Sequence, residues 1–186
     1  HPNVRSDVGE FIHDYERRDR KFGDRLRIGV VCGDFLRSEV SQKTIDREVL
    51  STLSTIQDAV LSLRPHPQLR SQESFASHYR TLCNTHDSVT LDEHPLIQDF
   101  ISDMDVVCMY SVSTVALQCI ISGTPLIELG CEVTGSQNYP KGVIPGTLVR
   151  IIGSAEALPG AIEDIVRDES KYKMDHSRFM AKYFHS

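Results

Sequence analysis

Residues 109–128 have the sequence MYSVSTVALQCIISGTPLIE. The apolar start predicts the end of a buried strand, and the turn that follows it carries three hydroxyl side chains. A short apolar helix over 113–122, a Gly-Thr-Pro break and a second buried strand complete the pattern. A hydroxyl-rich turn that opens a helix presents free backbone N–H groups to one spot, which favours binding of an anion such as phosphate.

The same alternation of strand and helix runs through most of the chain. Buried strands are predicted at 26–33, 59–64, 88–91, 105–109, 125–129 and 147–152, and helices at 42–56, 72–84, 95–103, 113–122, 154–166 and 170–184. About six alternations argue for a parallel sheet with helices on both faces, joined by right-handed crossovers. We therefore predict an α/β fold, Rossmann-like, with three α/β/α layers and a mostly parallel sheet of about six strands. A lead-in segment at 1–25 precedes the domain at 26–169, and a C-terminal helix occupies 170–186.

Composition narrows the class of protein. The chain has 186 residues, which suit one domain, and a net charge of −6, which disfavours nucleic acid and anionic membrane surfaces as partners. No apolar run approaches the roughly 20 residues that span a bilayer, and no secretory signal pattern is present. Three of the five cysteines, Cys32, Cys108 and Cys119, lie inside apolar runs, which is typical of reduced, cytosolic proteins. Cys and His show no paired ligand spacing, so no metal site is predicted.

Ser111, Ser113 and Thr114 are the first candidate site residues, as ligands of a phosphate. The structural alternative is plain N-capping, for which Ser and Thr are favoured in any case. Three hydroxyls cluster where one cap would suffice, and this favours the phosphate site.

Arg64 and His66 stand at the end of the second predicted strand, in the sequence Leu63-Arg64-Pro65-His66-Pro67. A histidine between two prolines is held rigidly, and it can donate to a phosphate or to a base carbonyl. Its structural alternative is a loop histidine with one local hydrogen bond. The planar fork of Arg64 can add a phosphate contact, or it can pair with a surface acid instead.

The loop after the first strand contains Gly33, Asp34 and Arg37. Such a loop often contacts a diphosphate or an acceptor, and Gly33 permits close approach of the backbone. The loop lacks the G-x-G-x-x-G fingerprint, which disfavours a dinucleotide site.

Three further candidates are polar residues elsewhere in the chain. Glu128, at the end of the fifth strand, can hold a pair of ribose hydroxyls, or its charge can simply face water. Gln118 lies one turn into the helix after the phosphate turn and can reach a ligand there. His94, which precedes Pro95, is a minor candidate for lining a base pocket.

These motifs resemble the nucleotide-binding C-terminal half of GT-B glycosyltransferases. The resemblance covers roughly residues 25–170 and is strongest in four segments: Asp105-Val106-Val107, Ser111-Val112-Ser113-Thr114, Ala116-Leu117 and Gly123-Thr124-Pro125-Leu126-Ile127. The Arg64-Pro65-His66-Pro67 segment is similar to the His-Pro motif of bacterial capsule and surface-polysaccharide enzymes, which include sialyl- and Kdo-type transferases and CDP-glycerol phosphotransferases.

The resemblance implies a domain that binds a CMP- or UDP-activated sugar through His66 and the hydroxyls of the phosphate turn. The sugar nucleotide would be a substrate, and no cofactor is implied. Many members that use UDP-sugars have Glu-Ala where this chain has Gln118-Cys119, and the glutamate binds ribose. That departure favours a CMP-sugar, or Glu128 as the ribose ligand.

The resemblance also implies a missing partner, because GT-B enzymes bind their substrates between two Rossmann-like halves. The acceptor half would be an N-terminal domain or a second chain, against which the C-terminal helix at 170–186 can pack. The expected location is the cytoplasm, or the cytoplasmic face of the inner membrane by peripheral association. Two alternatives stay open: a non-catalytic interaction module with a degenerate pocket, and half of a sugar-nucleotide epimerase.

Overall fold

The computed structural model describes residues 25–33, 38–110, 114–130 and 146–183. These parts contain six strands: β1 (Leu26–Cys32), β2 (Ala59–Pro65), β3 (Val89–Leu91), β4 (Val106–Met109), β5 (Leu126–Leu129) and β6 (Val149–Ile152). All neighbouring strands are parallel, in the order β3-β2-β1-β4-β5-β6. The predicted α/β fold with a Rossmann-like parallel sheet is confirmed.

Seven helices lie in the described residues: α1 (Glu39–Leu53), α2 (Pro67–Arg70), α3 (Glu73–Thr85), α4 (Ile97–Asp103), α5 (Val115–Ser122), α6 (Leu158–Arg167) and α7 (Glu169–Tyr183). A 3₁₀ turn at Ala155–Ala157 leads into α6. Within the described ranges, none of the helices is long and apolar enough to cross a membrane.

Each face of the sheet has its own hydrophobic core, because successive strand residues point to opposite faces. Ile28 and Val30 of β1 point to the face that α1, α3 and α6 cover. Val31 points to the other face, where α4, α5 and α7 pack. The three-layer arrangement therefore follows from strands that are apolar on both sides.

The bounds of α1 differ from the prediction by three residues at each end. The helix starts at Glu39 because Ser38 is extended and its side chain accepts from Ser41 N at 3.2 Å. On the apolar stripe of this helix, Val49, Leu50 and Leu53 are all buried, and Ile45 is partly buried. Periodicity thus located the buried face of the helix, and the serine cap determined where the helix begins.

The last helix, α7, packs on the domain's own core. Tyr172, Phe179 and Met180 are buried in the cluster that also contains α5. His176 Nε2 lies 2.8 Å from the Ile120 carbonyl oxygen, near the C-terminal end of α5. Gly123 ends α5 in the left-handed region at φ 69°, and a Cβ there would lie 3.0 Å from the His176 ring. Contact between this helix and a partner half stays a prediction.

Candidate functional site

The carboxyl ends of three neighbouring strands meet where the strand order changes direction. β1 lies between β2 and β4, and the chain builds the sheet outward in opposite directions from this point. The helices after β1 and β4, α1 and α5, cover opposite faces of the sheet. In open α/β sheets, ligands bind in the crevice that forms at such a point. The candidate residues Gly33, His66 and Thr114 follow these three strands.

His66 occupies the N-cap of α2, a helix that the sequence analysis did not predict. Its backbone is extended, Pro67 takes the first helical position, and Nδ1 accepts from Gln68 N at 3.3 Å. The proline pair ends β2 at Pro65 and starts α2 at Pro67. The same two prolines hold the histidine between them rigidly. His66 N also donates to Cys32 O at 2.9 Å, which ties the turn to the end of β1.

The imidazole of His66 is half-buried, and burial lowers its pKa below the ordinary value. The ring is therefore neutral at pH 7. Because Nδ1 accepts a hydrogen bond, the proton of the neutral ring resides on Nε2. His66 is thus an uncharged N–H donor at the carboxyl edge of the sheet. The structural alternative, a local hydrogen bond, is also present, and it is made at Nδ1.

The backbone conformation and close neighbours of Gly33 leave no room for a larger side chain. Its φ is +113°, and a Cβ would lie 2.7 Å from Leu69 Cδ1 and 3.1 Å from His66 Cβ. The α2 turn, through Leu69 and His66, is therefore what approaches the Gly33 backbone closely. Asp34 and Arg37, which follow in the same loop, lie outside the described residues.

Of the three hydroxyls in the predicted phosphate turn, Ser111 and Ser113 lie outside the described residues. Thr114 is exposed at the N-cap position of α5, and its side chain makes no capping hydrogen bond to this helix. The Thr114 side chain therefore does not cap α5, and the plain N-capping alternative does not hold for this residue. As a phosphate ligand, the residue stays a prediction.

Gln118 lies one helical turn after Thr114 and carries a buried acceptor. Within the described parts of the chain, its Oε1 is buried and accepts no hydrogen bond. A buried oxygen of this kind costs free energy unless a donor reaches it, so it needs an explanation. A hydroxyl of a bound ligand is a suitable donor. Cys119, by contrast, is fully buried in the core, as the sequence indicated.

Glu128, the penultimate residue of β5, is buried, with 5% exposure. It pairs in register with Met109 of β4 and Ile151 of β6. The alternative that its charge faces water was therefore wrong. Leu126, two residues earlier, packs in the α5 cluster, which places Glu128 on the same face as α5. Its predicted role as a ribose ligand is not decided by this position.

Arg64 is held by the end of the neighbouring strand β3. Its Nη1 donates to Asp92 Oδ2 and to His94 O, the latter at 2.6 Å, and its guanidinium lies 5.7 Å from the Phe100 ring centroid. The sequence analysis offered a surface acid as an alternative partner, yet Asp92 is buried. Asp92 was not among the predicted site residues. Its position directly after β3, beside the end of β2, was the available signal.

His94 has a carboxylate at each ring nitrogen. Nδ1 lies 2.5 Å from Asp92 Oδ1, and Nε2 lies 3.1 Å from Asp103 Oδ2. The hydrogen bond to Asp92 is the main cause that raises the pKa of His94. Burial acts to raise the pKa of Asp92, but hydrogen bonds from Arg64 and His94 outweigh it and hold that pKa below its ordinary value. The suggested base-pocket residue is therefore part of an ion cluster.

A second buried carboxylate, Asp46 of α1, was also missed. It accepts hydrogen bonds from Gln42 Nε2 at 2.9 Å and from the Tyr110 hydroxyl, and its Oδ2 lies 3.1 Å from His78 Nε2. All four side chains are buried. Burial, followed by the charges of nearby groups, raises the pKa of Tyr110 well above its ordinary value, so the hydroxyl keeps its proton. The network joins α1 and α3 to the end of β4, directly before the phosphate turn.

The fold has counterparts among solved structures. A provisionally assigned UDP-N-acetylglucosamine 2-epimerase from Listeria monocytogenes matches with a TM-score of 0.63 at 15% identity, over 89% of this chain and 45% of that one. The UDP complex of MnaA from S. aureus matches with a TM-score of 0.59 at 18% identity, over 89% and 42%. The C-terminal domain of LpcC, a group 1 family glycosyl transferase from Francisella tularensis, matches with a TM-score of 0.59 at 11% identity, over 93% and 97%.

These likenesses define the class of fold. The chain has the Rossmann-like fold of the C-terminal domain of GT-B glycosyltransferases and the related epimerases, as the resemblance implied. It spans less than half the length of the first two structures but nearly all of the isolated LpcC domain. No family model matches the sequence, and no curated protein matches it either.

Proposed function

We propose that this chain is the donor-nucleotide-binding domain of a glycosyltransferase that acts in bacterial surface-polysaccharide synthesis. The proposal depends above all on one observation: the β2-β1-β4 order brings His66, Gly33 and Thr114 to the carboxyl edge of the sheet at its switch point. The fold adds support, since a structure of the same fold is a complex with UDP.

The phosphates of the donor would bind between His66 and the start of α5. The free N–H groups of a helix N-terminus and its dipole favour a negative charge there. The Nε2–H of His66 can donate to a phosphate oxygen without adding a positive charge. Ser111, Ser113 and Thr114 supply the hydroxyls in this proposal, and Asp34 and Arg37 are the candidate contacts to the diphosphate or the acceptor.

The ribose would bind near Gln118. Its buried Oε1 lacks a donor within the described residues, and a ribose hydroxyl would supply one. Glu128 is the second candidate for this contact. An amide in place of a carboxylate would bind ribose more weakly, because hydrogen bonds to charged groups are the stronger ones. The base is cytosine or uracil in this proposal, so the donor is a CMP- or UDP-activated sugar.

Transfer of the sugar would require a second Rossmann-like half, in the same polypeptide or in a partner chain. The chain spans less than half of the two longer structures that share its fold, which supports this part of the proposal. The preorganised donors at the start of α5 would then stabilise the departing phosphate. The complete enzyme would work in the cytoplasm, at the inner face of the membrane.

The test is a titration of the purified chain with CMP, CDP, UMP, UDP and ADP, followed by thermal unfolding and calorimetry. A nucleotide that binds only the folded state raises the free energy of unfolding by about 2.7 kcal/mol at a hundredfold excess over Kd. We expect a cytidine or uridine nucleotide to bind and ADP to bind much more weakly. No stabilisation by any of them at millimolar concentration would contradict the proposal and favour the interaction module.

His66→Asn separates the two functions of the histidine. Asparagine is a good N-cap, so the variant keeps an acceptor for Gln68 N and loses the Nε2 donor. We expect unchanged stability and nucleotide affinity reduced by about tenfold, the effect of one lost hydrogen bond of about 1.4 kcal/mol. His86→Asn is the matched control, because His86 follows α3 at the opposite edge of the sheet. Equal affinity in the two variants would remove His66 from the site.

Half of a sugar-nucleotide epimerase is the second candidate, and the provisionally assigned UDP-N-acetylglucosamine 2-epimerase of the same fold favours it. This candidate predicts a preference for UDP over CMP and CDP. In the same titration, strong selection of cytidine nucleotides would argue against it.

A further inference from the structure

Two arginines near His66 in the sequence share one buried carboxylate. Arg64 donates from Nη1 to Asp92 Oδ2, and Arg70 Nη2 lies 3.5 Å from the same oxygen. The Asp92 side chain has 0% exposure. His94 Nδ1 lies 2.5 Å from its other oxygen. We call these four residues, Arg64, Arg70, Asp92 and His94, the Asp92 clamp.

The clamp holds the backbone on both sides of His66. Arg64 directly precedes Pro65, and Arg70 donates from Nε to the Pro65 carbonyl oxygen at 3.2 Å. The Arg70 amide donates to the His66 carbonyl oxygen at 3.1 Å, and His66 N donates to Cys32 O. The polar backbone groups of Pro65 and His66 are therefore all hydrogen-bonded. These bonds hold the backbone from which the imidazole projects.

We propose that Asp92 is a positioning residue for His66. Its carboxylate forms an ion pair with Arg70 at 3.5 Å, where Nη2 makes no hydrogen bond within the described residues, and Arg70 Nε in turn donates to the turn that carries the imidazole. The consequence for ligand binding rests on the proposed function, whereas the effect on the ring itself does not.

Stability alone is a poor explanation for this arrangement. The desolvation cost of a buried ion pair offsets much of its attraction, so apolar side chains could serve as well in a purely structural role. One member of the cluster, Arg70, donates instead to the turn that presents a histidine to the crevice.

The chain contains a control for the clamp, in which the shared carboxylate is more exposed than Asp92. Asp164 is likewise shared by two arginines, Arg150 of β6 and Arg167 of α6. This group lies at the far end of the sheet from β2 and flanks none of the candidate site residues.

The first test observes the His66 ring without a ligand. Long-range ¹H–¹⁵N spectra of labelled wild-type protein should show one set of His66 signals, with Nδ1 unprotonated and Nε2 protonated. In Asp92→Asn and in Arg70→Gln, we expect those signals to shift toward the averaged tautomers of a solvent-exposed histidine. A third of the Arg70 side chain is exposed, so its replacement tests the proposal even if Asp92→Asn does not fold. Asp164→Asn should leave the His66 signals unchanged.

The second test measures nucleotide affinity in the same folded variants. We expect a loss of about tenfold in Asp92→Asn or Arg70→Gln, as for the outer partners that orient ligating histidines in metal sites. Asp164→Asn should bind like the wild type. Unchanged His66 signals in Arg70→Gln would overturn the positioning role, whatever the affinity. If the wild type binds no nucleotide, the proposed function fails, and the ring signals alone still decide whether Asp92 positions His66.

Discussion

At the scale of the residue, the two nitrogens of His66 have different functions. Nδ1 caps α2 by accepting from Gln68 N, and this contact leaves the proton on Nε2. The neutral state agrees with the lowered pKa of the half-buried ring. A histidine that caps a helix is thereby oriented as a donor, which a free loop histidine would not be.

Gly33 is the residue that allows this arrangement. In Gly33→Ala, a Cβ would lie 2.7 Å from Leu69 Cδ1 at a backbone φ of +113°. We expect a loss of about 1–3 kcal/mol in the free energy of unfolding, measured by urea denaturation. Gly160→Ala in α6 is the control, since a Cβ there meets nothing within 4 Å. That variant should gain about 0.5–1 kcal/mol, and the same sign in both variants would contradict the argument.

At the scale of the elements, the buried carboxylate of Asp46 joins α1 and α3 to the end of β4. Its partners His78 and Tyr110 come from elements that are far apart in the sequence. The network lies under the point where β4 continues into the predicted phosphate turn. It therefore sets the relative position of the helix after β1 and the end of β4.

Asp46→Ala should be among the most damaging substitutions in this chain. It leaves the Tyr110 hydroxyl and the His78 ring buried without their shared acceptor, and each group left unsatisfied should cost about 1–3 kcal/mol of unfolding free energy. Tyr110→Phe removes one hydrogen bond to a charged group and should cost about 1.5–3 kcal/mol. Glu48→Ala, at an exposed position of α1, should stay within about 0.5 kcal/mol of the wild type. Urea unfolding measures all three, and a small effect of Asp46→Ala would contradict this account.

The stability that the Asp92–His94–Asp103 cluster between β3 and α4 contributes should fall at both high and low pH. The raised pKa of His94, next to Asp92 and Asp103, stabilises the fold fully below the ordinary value of 6.5 and is lost as pH rises through the folded value. The lowered pKa of Asp92 acts in the opposite sense: its contribution is complete above about 3.9 and is lost as pH falls through the folded value.

His94→Gln tests both limits through urea unfolding of the two proteins across the pH range. The wild type should exceed the variant in stability by the largest amount between about pH 4 and 6.5, and the difference should shrink on either side. A difference that grows above pH 7 would mean that the histidine is not protonated in the folded state.

The sequence predicted strands and apolar helix faces well because burial imposes a period that single residues reveal. It placed α1 three residues too late and missed α2, because caps and short turns depend on local hydrogen bonds that periodicity does not report. His66 and Gly33 could be proposed from their place after a strand. Asp92 also follows a strand directly, but its role and that of Asp46 depend on partners 28 and 32 residues away in the chain, which no local pattern reports.

At the scale of the whole molecule, one sheet serves two hydrophobic cores. Leu61 of β2 packs in the core beneath α1, α3 and α6, and Leu126 of β5 packs in the core beneath α4, α5 and α7. Because the same backbone ladder carries both, neither core can open while the other stays intact. The described part of the molecule should therefore unfold as a unit, and a ligand at the switch point should stabilise both cores together.

Leu61→Ala and Leu126→Ala test this coupling with matched substitutions on opposite sides of the sheet. Both leucines are almost fully buried, at 0% and 1% exposure, so each replacement should cost about 2–5 kcal/mol. Urea unfolding should show one transition in each variant, with tyrosine fluorescence and far-ultraviolet circular dichroism giving the same midpoint. If Leu126→Ala produced an early transition in one probe only, the α5 side would be an independent unit. Nucleotide binding at the start of α5 would then stabilise that side alone.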